Sequence, residues 1–123
     1  MSGYQSPADL TLAKELIQLA PTEAKAFLGL KAAAERAGGA IPEKYRELIA
    51  IAVALATQCS YCIDAHAKNA ARAGATREEI AEAVFIASAL RAGAAVGHGL
   101  LALRLYDEAV SPDATGTAQA TPP

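Results

Sequence analysis

The chemistry in this chain is concentrated in one octapeptide, CSYCIDAH, residues 59–66. It holds both cysteines, Cys59 and Cys62, and one of the two histidines, His66. A Cys-x-x-Cys pair with a nearby histidine can clip a metal, exchange electrons as a dithiol, or sit inert as small packed residues. On a helix, Cys59 and Cys62 at i, i+3 and Cys62 and His66 at i, i+4 share one face. Cys59 falls at the helix start, where unpaired N–H groups and the dipole favour thiolate over thiol. His66, one turn below Cys62, can take its proton directly or through a water. Ideal i, i+3 spacing leaves Cβ atoms ~5–6 Å apart, whereas a disulfide needs about 3.8 Å. The pair can therefore close only if Cys59 lies at or outside the helix cap.

Zinc would draw on Cys59, Cys62 and His66, with His98 or Glu47 as a fourth ligand. No second Cys-x-x-Cys or closely spaced histidine pair completes that set. Electron exchange is thus favoured, with no metal and no bound cofactor expected. His98, between two glycines in AVGHGLL, reads either as a packed, hydrogen-bonded histidine or as a pocket residue. Tyr61 lies off the Cys/His face and reads as a pocket residue, a packing residue or an oligomer contact.

A proton-accepting histidine works better when a carboxylate orients it, and Glu47 is the candidate. On one continuous helix it would stand ~18 Å from Cys59. If the chain reverses near residues 57–60, the two helices pack antiparallel, and Glu47 and His66 come within about 6 Å in axial height. Glu43, a turn further from the reversal, is less well placed.

The elements that must position these residues read as helices throughout. Ser6, Pro7 and Asp9 give a cap, a first-turn proline and a first-turn acid, opening a helix to about residue 20. Pro21 opens a second, stopped by Gly38-Gly39. A third, residues 42–58, carries Leu48, Ile51 and Leu55 at helical spacing and is apolar nearly all round in its far half, which predicts a buried central helix. The motif helix runs over about 60–73 and stops at Gly74. Thr76 and Glu79 form a capping box before helical sequence to about residue 109, with an interruption expected near Gly93 or Gly97–Gly99. The segments AAAERAGG and REEIAEA read as ordinary capped helix surfaces. No strand alternation or internal repeat stands out. The expectation is an all-α single domain over residues 1–110, with the motif at the start of a helix in an antiparallel hairpin, and a mobile tail over 111–123.

The chain has 123 residues, 53% hydrophobic and 20% charged, with net charge −2. Much of the apolar fraction is alanine, which buries little area per residue, so a homo-oligomer is expected. Mixed charge with no basic patch argues against nucleic acid. The start MSGYQSPADL lacks a secretory pattern. The apolar run over residues 48–57 is about half of a bilayer span, and the later apolar region is broken by Arg91 and His98. A soluble, cytoplasmic protein without membrane contact is expected.

The segment EKYRELIAIAVALATQCSYCIDAHAKNAARAGATREEIAEAV, residues 43–84, resembles the core of the alkylhydroperoxidase D / carboxymuconolactone decarboxylase superfamily. Glu47, Cys59, Tyr61, Cys62, His66 and the GAT-x-EEI-x-EA segment meet its pattern. The resemblance implies an AhpD-like helical domain in a trimer or hexamer. It also implies a peroxiredoxin-type antioxidant activity on small hydroperoxides, with Cys62 attacking the peroxide and Cys59 condensing with it to a disulfide. His66 and Glu47 would relay protons, and a dithiol donor, a lipoylated or thioredoxin-like protein, would restore the thiols. Dipole logic alone makes Cys59 the more acidic thiol. His66 beneath Cys62 supplies the base that supports the family's assignment. Two other classes fit the superfamily or the fold: a lactone decarboxylase, which does not depend on the cysteine pair, and a non-enzymatic scaffold. General disulfide exchange is a further use of the same dithiol.

Overall fold

The computed structural model describes residues 5–111, so all of the expected tail but Ser111 lies outside the described residues. Those residues form an all-α structure with no strand among them.

Ser6 caps the first element as expected: its hydroxyl accepts the Ala8 N–H, and Asp9 accepts the Ser6 N–H at 3.1 Å. The element it opens is a 3-10 helix, Pro7–Leu12, leading into α1, Ala13–Leu19. α2, Pro21–Ala34, pairs with α1 and ends at Glu35, before the glycine pair. Gly38 then takes φ 78, a left-handed turn that only glycine adopts freely. Arg46 of the next helix reaches back across this turn, donating to Ala34 O at 2.8 Å and Ile41 O at 3.2 Å. The guanidinium thereby occupies the space a Cβ on Gly39 would need.

α3, Glu43–Thr57, and α4, Ser60–Arg72, form the antiparallel hairpin, joined by Gln58 and Cys59. Gln58 makes the reversal in the left-handed region at φ 59, and the Cys59 N–H bonds Ala54 O at 2.9 Å, satisfying a terminal carbonyl of α3. Gly74, φ 88, ends the next turn. Thr76 and Glu79 exchange capping hydrogen bonds of 3.1 and 2.9 Å. Glu79 also pairs with Lys44 of α3 at 2.9 Å, anchoring the start of α5, Arg77–Val110.

Two expectations are corrected here. α5 is continuous for 34 residues through Gly93, Gly97 and Gly99. Glycine weakens a helix by about 1 kcal/mol per residue without forcing a break, and these three stand among strong helix formers with no proline. The expected all-round burial of α3 is also absent: it buries only the stripe Glu47, Ile51 and Ala54, while Ile49 and Val53 are exposed. Apolar composition sets what a helix can bury, and one chain covers only one face of it.

The chain divides into two compact units, Met1–Ala87 and Ser88–Pro123. Among the described residues, the first holds every buried one: Glu47, Ile51, Ala54, His66, Ala70, Ala83 and Ala87. Five are apolar and small to medium in size; the other two are an acid and a histidine. In the second, Leu90, Val96, Leu100, Leu103 and Tyr106 are exposed along α5. By length and composition alone, α5 is apolar enough to cross a membrane, the only such helix among the described residues.

Candidate functional site

The site is built at the closed end of the hairpin. Because Gln58 turns the chain left-handed, Cys59 leaves the reversal in an extended conformation, φ −102 and ψ 95, as the N-cap of α4. It is outside the helix, the condition for closing the pair. Cys59 and Cys62 are joined by a disulfide, with Cα atoms 5.3 Å apart, inside the range such bonds use. The Cys59 sulfur also accepts the Cys62 N–H at 3.3 Å. Both cysteines are half-buried.

One turn along the same helix, His66 is buried. Its Nδ1 is hydrogen-bonded to Glu47 Oε2 at 2.6 Å across the hairpin. Glu47 is itself only 8% exposed, so a carboxyl group and an imidazole share one buried site. An ionisable group this deep must be paired, and here each is the other's partner. Glu43, by contrast, is exposed.

Glu35, read from the sequence as helix surface, also reaches this site. Its Oε1 stands 3.3 Å from His66 Nε2, and its Oε2 is 2.5 Å from Lys31 Nζ. Both nitrogens of the histidine thus face carboxylates. No spacing rule could have found this contact, because Glu35 sits beyond the end of α2 and is carried there by the glycine turn and the Arg46 bond to Ala34 O.

Tyr61 points elsewhere. Its hydroxyl donates to Asp9 Oδ2 at 2.6 Å, clasping the N-terminal 3-10 helix to α4, and the adjacent Ser60 hydroxyl bonds Gln5. The Tyr61 hydrogen bond, then the Ser6 N–H, holds the Asp9 carboxyl below its ordinary range, and the same bond raises the Tyr61 hydroxyl above its own. Tyr61 lines a cavity of about 200 Å³ with Ser6, Leu10, Ser60 and Asp64. His98 is exposed on α5 within the second unit. Among the described residues, no three His, Cys, Asp or Glu side chains stand close enough to hold a metal ion.

Residues 21–105 match the family described as the carboxymuconolactone decarboxylase family. The chain belongs to that family. An uncharacterized protein from the cox locus of Paracoccus denitrificans is 50% identical over 72 residues, 58% of this chain; the match spans 65% of that protein, under two thirds of its length. A crystal structure of a Methanobacterium thermoautotrophicum protein superposes with TM-score 0.65 at 32% identity, covering 74% of this chain and 98% of the other. A carboxymuconolactone decarboxylase family protein from Legionella pneumophila, crystallised in its apo form, gives TM-score 0.61 at 32% identity, over 80% of this chain and 88% of that one. The family agrees with the resemblance carried by the motif, and the structural matches agree with the helical fold.

Proposed function

We propose that this family member is a thiol-dependent hydroperoxide reductase. The observation that carries it is the disulfide-linked pair Cys59 and Cys62 with His66 one helical turn below, hydrogen-bonded to the buried Glu47.

In the reduced protein, Cys62 gives its proton to His66 and its thiolate attacks a peroxide oxygen. A sulfur–oxygen bond forms, the O–O bond breaks, and the departing alkoxide takes the proton as ROH. Cys59 then attacks the Cys62 sulfur of the sulfenic acid; the S–S bond forms and the hydroxyl leaves as water with the Cys59 proton. The sum is ROOH and two thiols to ROH, water and a disulfide. A dithiol donor, lipoylated or thioredoxin-like, returns two electrons and two protons. Glu47 acts through His66, fixing the ring and balancing its charge.

The working unit is a homo-oligomer, a trimer or a hexamer. Supporting this, one chain leaves Leu16, Phe27, Val53, Phe85 and Leu100 more than half exposed. An assembly would cover apolar surface of this kind.

The test is turnover of an organic hydroperoxide with dihydrolipoamide as donor. Cys62→Ser is expected to abolish it, and Cys59→Ser to stop the reaction at a sulfenic acid. Lactone decarboxylation that survives loss of both cysteines would replace this function with the decarboxylase one.

A further inference from the structure

Nδ1 of His66 is committed to Glu47 at 2.6 Å, so only Nε2 is left to serve a sulfur on α4. Yet Nε2 faces Glu35 Oε1 at 3.3 Å. A neutral imidazole has one N–H and one lone pair; turned either way, it would aim that lone pair at a carboxylate. The two carboxylates thus compete for the one N–H of a neutral ring, and a proton gained at Nε2 would be met by Glu35. The sulfurs offer no competing charge in this state, since they are bonded to each other.

We infer that Glu35 is a positioning residue for Cys62: it holds His66 Nε2 while the disulfide is closed and yields it to the Cys62 thiolate when the pair is reduced. The inference rests on the proposed role of Cys62. Glu35 is suited to a reversible hold. It is about one-third exposed, its other oxygen is steadied by Lys31, and its backbone is fixed by the Arg46 bond to Ala34 O. The ionisable groups around His66 are therefore Glu47 from α3, Glu35 with Lys31 from the end of α2, Cys62 on its own helix and Cys59 at that helix's cap. In the reduced protein the proton on the Cys62 thiol passes to Nε2, leaving thiolate and imidazolium. The Glu35 charge favours that imidazolium, and so favours the thiolate.

The test uses no peroxide. In a Cys59→Ser background, the rate of Cys62 alkylation by iodoacetamide is followed against pH, with and without Glu35→Gln. Gln keeps the size and loses the charge, so the profile is expected to move to higher pH, with alkylation on the order of tenfold slower near neutrality; Glu35→Asp should restore most of the rate. A Gln profile superimposed on its parent overturns the inference. Should the variants fold poorly, the histidine ¹⁵N resonances of the wild-type chain decide: Nε2 of His66 is expected to shift on reduction while exposed His98 does not, and an unmoved signal overturns it. A shifted profile in a protein inert to hydroperoxide would sink the proposed function and leave the Glu35 role standing.

Discussion

His66 Nδ1 lies 2.6 Å from Glu47 Oε2 although the two residues are 19 positions apart in sequence. Only the left-handed turn at Gln58 brings them together. Replacing Glu47 by Gln is expected to slow disulfide formation in the presence of hydroperoxide on the order of 10²-fold, the lower range for a positioned acid–base group. It should also destabilise the fold by ~1–3 kcal/mol, because the buried ring loses its charged acceptor. Stopped-flow thiol loss and urea unfolding would check the two effects. His66→Ala with Glu47→Gln should be little worse in rate than either alone, as residues acting as a unit are not additive.

The turn itself is testable. Gln58 holds φ 59, a conformation costing a non-glycine residue about 1 kcal/mol or more. Gln58→Gly is expected to raise the midpoint of thermal unfolding, and Gln58→Val to lower it. A stabilising Val would mean that the reversal does not depend on this backbone conformation.

Gly39→Ala probes the mounting of Glu35. The new Cβ would stand 2.1 Å from Arg46 Nη2, so the guanidinium must move and give up its bonds to Ala34 O and Ile41 O. A loss of ~1–2 kcal/mol is expected from two hydrogen bonds, with faster amide exchange at the end of α2. Wild-type exchange there would show that Arg46 does not hold that end.

The Tyr61–Asp9 clasp has a defined pH window. Asp9 is held below its ordinary value, so its share of stability is present above the ordinary carboxylate range and is lost as pH falls through the lowered value. Tyr61 is raised, so its share is present below the ordinary tyrosine value and is lost as pH climbs through the raised one. Tyr61→Phe should therefore lower the melting temperature at neutral pH and converge with wild type at both extremes. A constant offset across the whole range would contradict the assignment.

Much of this was legible in the sequence, for identifiable reasons. Ser6, Thr76 and Gly74 marked helix ends, and Cys62 and His66 stand in one short helix with Cys59 at its cap, at a spacing that fixes their common face. The Glu47 partnership was readable because a hairpin at the motif leaves a simple rise-per-residue calculation. Glu35 was not readable, since its approach depends on a turn and an arginine bond with no periodic signature. Tyr61 was seen to leave the Cys/His face, but its partner Asp9 lies in a segment whose docking no local pattern encodes. The uninterrupted α5 and the exposed side of α3 show the limit of composition: it states what a helix tolerates and not what covers it.

Those exposed faces give a further expectation. Light scattering should find a mass three or six times the 12.6 kDa chain, and Val53→Glu, on the exposed side of α3, should reduce it. A 12.6 kDa species at micromolar concentration would contradict the assembly.

The most direct measurement is the intact mass of fully reduced, metal-free protein after one equivalent of an organic hydroperoxide, followed by a thiol alkylator. The expected result is a loss of two hydrogens and of both alkylation sites, mapped to a Cys59–Cys62 disulfide. If both thiols remain alkylatable, hydroperoxide reduction is not what this cysteine pair does.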